Sequence, residues 1–181
     1  MSYKKLYIWV EGPDDERFFN RIVFPILNIN YDNIKILQYA KETLTWRKNF
    51  LKSMIGMGAD YIFVADVNSA SCVTAKKEKI KQDLPNISED KIIIVVQEIE
   101  SWYLAGLNES GYKEIGISKY KSSTDEIKKE QFNKLMPNKF KDSRIDFMQE
   151  ILRLFDVETA KGKNVSLNYF LSKYSNDLNN T

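Results

Sequence analysis

The hydrophobic pattern of the first hundred residues alternates between short apolar runs and longer segments with helical spacing. The apolar runs predict strands at about 4–10, 34–40, 61–65 and 91–96. The segments between them predict helices at about 13–24, 43–56 and 71–84. This alternation predicts an α/β protein with a mainly parallel central sheet of about four strands, flanked by helices. Because the run Lys91 to Val96 lacks alternation, we expect strands covered on both faces, in a three-layer Rossmann-like arrangement.

The pattern weakens after residue 107. A short helix is predicted at about 101–107. Residues 108–140 are polar and predict an irregular insertion or lid, apart from a short helix at about 124–135. Helical spacing returns at 142–155 and at about 164–174. We therefore predict a single domain over residues 1–181, with a core at about 4–107 and a helical C-terminal extension at about 108–175.

The composition narrows the chemistry that the chain can perform. It has 181 residues and no histidine, which excludes Ser-His-Asp and Cys-His catalysis and histidine-bound zinc. Any metal would be held by oxygen ligands, which favours Mg²⁺, Mn²⁺ or Ca²⁺. The single cysteine, Cys72, fits a reducing compartment, and no apolar run approaches the roughly 20 residues of a membrane span. We expect a cytoplasmic protein. Its net charge of +2 means that nucleic acid would be bound through a local patch.

The end of the first predicted strand carries the first candidate site residues. Glu11 closes the apolar run, Gly12 permits a sharp turn, and Asp15 follows in the first turn of a helix that begins at Pro13. In open α/β sheets, ligands bind outside the carboxyl ends of the strands. The alternative is that these acids only complement the positive end of the helix dipole.

Two further strand ends carry side-chain oxygens. Asp66 and Asn68 follow the third strand, and Glu98 and Glu100 follow the fourth. If the chain stays extended, residues two apart point to the same side, so each pair faces one site. Crowded carboxylates at one sheet edge need a counter-charge, and a divalent cation can supply it. Alternatively, Asp66 caps the third helix, Asn68 lies in a turn, and the two glutamates begin a helix.

Three acidic motifs, in this order, resemble the signature of a TOPRIM domain. They are Glu11-Gly-x-x-Asp15, Asp66-x-Asn68 and Glu98-x-Glu100, the last of which opens the segment EIESWYLAGL. Over about residues 4–107 the chain is similar to small stand-alone TOPRIM-like proteins of unknown function and to the nuclease half of OLD-family proteins.

The resemblance implies cleavage of phosphodiester bonds in nucleic acid with Mg²⁺ or Mn²⁺, with DNA favoured over RNA. The implied ligands are Glu11 and Asp15, with Glu98 or Glu100, for one ion, and Asp66 and Asn68 for the other. Glu11 has an alternative role as general acid or base. Lys161 or Lys163 corresponds to a lysine that neutralises charge at the phosphate, unless both are solvated loop residues. An ATPase partner is also implied.

One position departs from the family pattern. The family has an aspartate where this chain has Asn68, whose amide oxygen is neutral. Two hypotheses therefore stand: a metal-dependent nuclease, and a non-catalytic module that binds nucleic acid, a nucleotide or a partner protein.

Overall fold

The computed structural model describes residues 3–68, 70–118 and 121–175. These residues form two compact units, the first ending at Val95 and the second beginning at Val96. The prediction of a single domain with a core reaching to about residue 107 stays a prediction.

The first unit is built on a four-stranded sheet. Its strands are β1 (Lys5–Val10), β2 (Asn33–Gln38), β3 (Asp60–Asp66) and β4 (Ile92–Val95). All described strand pairs are parallel, and the strand order is β2-β1-β3-β4. The predicted α/β fold with a parallel sheet and flanking helices is confirmed. The chain moves outward in opposite directions from β1 and β3, so the topological switch point lies between these two strands.

The helices of the first unit follow the predicted order. They are α1 (Pro13–Phe18), α2 (Phe24–Leu27), α3 (Leu44–Gly56) and α4 (Val73–Asp83), with a π-helical segment at Phe19–Val23 and a 3₁₀ turn at Glu89–Lys91. The prediction that the first helix ends before Pro25 was wrong, because helical structure continues to Leu27. A proline has no N–H for the regular ladder, and the wider π-helical turn immediately before α2 accommodates that change.

One apolar cluster lies between the sheet and the helices α3 and α4. Alternate residues of β1, β3 and β4 point into it, together with residues of both helices: Tyr7, Trp9, Tyr61, Phe63, Ala65, Ile92, Ile94, Leu51, Met54 and Ile80. The intervening strand residues are buried as well, including Ile8, Ile62 and Ile93. These residues face the other side of the sheet. Right-handed crossovers place α1 on this second face, because the chain crosses the sheet in one direction from β1 to β2 and in the opposite direction from β2 to β3 and β4.

The described part of the second unit is helical. Its helices are α5 (Ile99–Ala105), α6 (Glu109–Ile115), α7 (Lys129–Leu135), α8 (Arg144–Arg153), α9 (Val157–Lys163) and α10 (Val165–Ser175), with a 3₁₀ turn at Asn138–Phe140. The prediction of irregular structure over 108–140 missed α6, and α9 was not predicted. Asn108 caps α6 by accepting a hydrogen bond from the Gly111 N–H at 2.9 Å. No helix in the described ranges is long and apolar enough to cross a membrane.

Candidate functional site

The carboxyl end of β1 positions Glu11 beside the end of β2. The parallel ladder continues beyond both strands, since Tyr39 N–H donates to Val10 C=O at 2.9 Å and Ala40 N–H donates to Glu11 C=O at 3.3 Å. These bonds hold the backbone of Glu11 next to Tyr39, while the Glu11 side chain is half-buried. Glu11 therefore lies at the sheet edge that the sequence predicted.

Asp15 is the buried acid of the first helical turn. It is 7% exposed, and its Oδ2 accepts a hydrogen bond from the Gly12 N–H at 3.1 Å. Its neighbours are engaged elsewhere: Asp14 pairs with Arg17 at 2.7 Å, and Glu16 accepts a hydrogen bond from Gln38. The helix-start interpretation therefore describes Asp14 well. Asp15 closes the turn through one oxygen, which holds its carboxylate in place at the sheet edge.

Asp66 ends β3, opposite Val95 in the sheet register. The chain then turns, because Asn68 has a left-handed φ of 47°. The assumption of an extended chain through Asn68 was therefore wrong, and the shared ligand role of Asp66 and Asn68 stays a prediction. Asp66 is also not the cap of α4, which begins after Cys72, whose sulfur accepts a hydrogen bond from the Ala75 N–H at 3.5 Å. The placement of Asp66 at the strand end is as predicted.

The buried hydroxyl of Tyr39 lies near three acids of the first unit, Glu11, Asp15 and Asp66. Its hydroxyl donates to the Val64 C=O at 3.1 Å, and its ring stacks on Phe63 at 4.6 Å between centroids. Burial raises the pKa of Tyr39 most strongly, and the negative charges of Glu11, Asp15 and Asp66 raise it further. Three carboxylates from two strand ends and a helix start thus lie within electrostatic reach of one hydroxyl. We call Glu11, Asp15 and Asp66 the acidic cluster.

Sequence analysis missed Tyr39 and a nearby cation, Arg47. Thr43 caps α3 by accepting a hydrogen bond from the Trp46 N–H at 3.1 Å, which places Arg47 in the first part of that helix. The ζ-carbon of Arg47 lies 5.8 Å from the centroid of the Tyr39 ring. The available signal was that both residues follow β2 at its carboxyl end, where sites form in this fold class.

The donor chemistry of the acidic cluster fits a hard divalent cation. Carboxylates are the ligands that Mg²⁺ and Mn²⁺ prefer in proteins, and Asn68 adds an amide oxygen nearby in sequence. Within the described residues, however, no group of three or more Cys, Asp or Glu side chains is arranged to hold an ion. Coordination would therefore require side-chain movement, which the half-buried Glu11 permits. The predicted Mg²⁺ or Mn²⁺ site stays a prediction.

Glu98 and Glu100 belong to the second unit, where each has a protein partner. The condition that the chain stays extended through them is not met, because β4 ends at Val95 and Gln97 has a left-handed φ of 67°. They begin α5 instead, which was the alternative interpretation. Glu98 Oε2 accepts a hydrogen bond from the Lys129 N–H at 2.5 Å. Their predicted role as metal ligands stays a prediction.

Glu100 forms the most buried ion pair of the second unit's described residues. Its Oε1 lies 2.6 Å from Arg144, and its side chain is 4% exposed. Burial raises the pKa of Glu100 more than the charge of Arg144 lowers it. Arg144 is held in turn by Asn133, which accepts from its Nε at 2.9 Å. This carboxylate already has a protein counter-charge.

The two predicted lysines lie in different environments. Lys161 is partly exposed and pairs with Glu158 at 2.7 Å. Lys163 is buried, donates to the Leu107 C=O at 2.8 Å, and lies 4.7 Å from the centroid of the Tyr112 ring. Burial lowers the pKa of Lys163 to about 8. These contacts hold Lys163 within the second unit, and the catalytic role predicted for either lysine stays a prediction.

Comparisons with known proteins add little to this geometry. No protein-family model matches the chain, and no curated protein matches it. Among solved structures, the chain is similar to the C-terminal region of the Burkholderia pseudomallei OLD protein. The two are 16% identical, with a TM-score of 0.49 over 96% of this chain and 100% of the other. The resemblance to stand-alone TOPRIM-like proteins has no support from these comparisons. At this level of similarity the argument for a site rests on the residues of this chain.

Proposed function

We propose that the chain is a metal-dependent phosphodiesterase that acts on nucleic acid through the acidic cluster. The observation that supports it is that the negative charges of Glu11, Asp15 and Asp66, at the carboxyl edge of β1 and β3, all act on the hydroxyl of Tyr39. This edge flanks the topological switch point, where open α/β sheets bind their ligands. Like charges gathered in a partly buried place repel one another, and a divalent cation would relieve that repulsion.

The residues of the cluster have separable roles in this proposal. Asp15 is anchored through Oδ2 to the Gly12 N–H, so its carboxylate is the fixed ligand. Asp66 and Asn68 supply oxygens from the end of β3, and the half-buried Glu11 is free to rotate toward an ion or to move a proton. Mg²⁺ or Mn²⁺ bound there would polarise a phosphoryl oxygen and acidify a bound water. Glu98 and Glu100 are left out, since Lys129 and Arg144 already engage them.

The test is a cleavage assay with plasmid, single-stranded DNA and RNA in Mg²⁺, in Mn²⁺ and in EDTA. We expect cutting that requires the metal and falls more than about a hundredfold in Asp66→Asn, because even the outer partners of metal ligands contribute about 10- to 100-fold. Asp83→Asn, an exposed position at the end of α4, removes the same charge away from the site and should cut normally. Equal cutting by both variants would refute the assignment.

A second candidate is a non-catalytic module that binds nucleic acid or a nucleotide. Two observations favour it: Asn68 stands where an acid would complete a two-metal site, and no described trio of acids is arranged around an ion. Under this alternative the wild type binds an oligonucleotide without cutting it. Asn68→Asp would then raise Mn²⁺ affinity, measured by calorimetry, and introduce cleavage. Efficient cutting by the wild type would exclude this alternative.

A further inference from the structure

Arg47, near the start of α3, is a cation outside the acidic cluster. It is half-buried, and within the described residues it forms no ion pair. Its Nε is buried and has no hydrogen-bond partner among those residues. The ζ-carbon of Arg47 instead lies over the face of the Tyr39 ring, 5.8 Å from its centroid. A guanidinium in this setting is unusual, because arginines that leave bulk water are normally paired.

The unsatisfied donor has an energetic cost. A buried donor without an acceptor destabilises the folded state, and a contact with an aromatic face offsets only part of that loss. Arg47 and the acidic cluster act on the same hydroxyl with opposite sign, since the charge of Arg47 lowers the pKa of Tyr39 and the three acids raise it. A residue kept in this state is suited to a ligand that arrives later.

The chemistry of the surroundings restricts that ligand. A guanidinium presents a planar fork of donors that matches the oxygens of a phosphate. A lone anion would be repelled by Glu11, Asp15 and Asp66. A phosphodiester offers several oxygens, so one could accept from Arg47 while another contacts a cation held by the acidic cluster.

We propose that Arg47 is the phosphate-binding residue beside the acidic cluster, and that its guanidinium fork donates hydrogen bonds to a phosphodiester of nucleic acid. The inference rests on the proposed function in one respect, since it takes the substrate to be a nucleic acid. Arg47 contacts substrate phosphate and not metal, so removing it should weaken nucleic-acid binding and leave metal binding intact.

The experiment measures binding of a short fluorescent oligothymidylate by anisotropy, in Ca²⁺ and in EDTA, over a range of salt. We expect Arg47→Gln to bind about tenfold more weakly in Ca²⁺, with the slope of log K against log salt smaller by about one. Arg47→Lys keeps the charge and loses the fork, so it should fall between the two. Lys48→Gln, at the exposed neighbouring position, removes the same charge and should bind within about twofold of wild type.

Two further measurements separate this role from others. The midpoint temperature of thermal unfolding should not fall in Arg47→Gln, because the change removes an unsatisfied buried donor. Mn²⁺ affinity, measured by electron paramagnetic resonance, should be unchanged or higher in that variant. If Arg47→Gln proves unstable, the deciding measurement is the oligonucleotide affinity of Arg47→Lys relative to wild type, because this variant keeps the positive charge and the stability of the protein.

Wild-type oligonucleotide affinity in both Arg47 variants would overturn the inference. So would a loss of affinity in Lys48→Gln as large as that in Arg47→Gln, because it would reflect bulk charge alone. Arg47-dependent binding without any cleavage by the wild type would instead refute the hydrolytic function and leave the inference standing. The two failures are therefore distinguishable.

Discussion

The candidate carboxylates of the two units lie in different electrostatic environments. In the second unit, Glu100 is almost fully buried and lies 2.6 Å from Arg144. In the first unit, Glu11, Asp15 and Asp66 act together on Tyr39 and raise its pKa beyond the effect of burial. The comparison teaches that acids of similar sequence context differ in their surroundings, since Glu100 lies against one arginine whereas three acids of the first unit act on one hydroxyl. A carboxylate with a structural counter-charge supports the fold, whereas a group of acids sharing one hydroxyl favours an external cation.

The largest effect should come from removing the counter-charge in the second unit. Arg144→Ala leaves Glu100 buried without its cation, and breaking such a pair costs about 3–5 kcal/mol. Chemical denaturation would measure it. Arg153→Ala, on the same helix, removes a half-exposed arginine that bridges Glu114 and Glu150 and should cost less than about 1 kcal/mol.

Adding Glu100→Gln to Arg144→Ala should restore part of the lost stability, because it removes the unpaired charge. Equal losses in the two arginine variants would show that Glu100 is not held as the structure indicates. The comparison between the units would then lose its reference point.

An intermediate effect should come from Lys163, the buried cation of the second unit. Its pKa of about 8 in the folded protein lies below the ordinary lysine value of 10.5, so the unfolded chain binds the proton more tightly. Stability should therefore rise with pH between about 8 and 10.5. Relative to Lys163→Met, the wild type should gain on the order of 2 kcal/mol between pH 7 and 9.5. Denaturation at several pH values checks this, with Lys161→Met as the partly exposed control. Parallel pH profiles for wild type and Lys163→Met would contradict it.

The smallest effect should come from thinning the acidic cluster. Asp66→Asn removes one of three like charges near Tyr39, so we expect metal-free protein to gain about 0.5–1 kcal/mol of stability. The pKa of Tyr39 should fall toward its ordinary value, measured by ultraviolet titration against Tyr39→Phe. Asp83→Asn should change neither quantity. A loss of stability in Asp66→Asn would show that this aspartate is structural.

The sequence predicted the framework of the first unit because its signals are local. The run ending at Val96, which does not alternate, indicated a strand covered on both faces, and the helix predicted at about 43–56 matches α3 with its cap at Thr43. Parallel strands end at one edge, so Glu11 and Asp66 could be placed there without coordinates. At the candidate site the errors lay where φ turns positive, at Asn68 and Gln97, since neither is the glycine that usually marks such a turn.

What the sequence determined by itself was which acids end the strands and which chemistry the absence of histidine excludes. Only the tertiary structure decided that Glu100 pairs with an arginine and that Glu11, Asp15 and Asp66 act on one tyrosine. Glu100 and Arg144 are 44 residues apart, and their pairing depends on how α5 and α8 pack. Tyr39 and Arg47 join the acidic cluster only because β2 lies beside β1 in the sheet. Strand ends follow from periodicity along the chain, whereas charge pairing depends on distances across it, which periodicity does not encode.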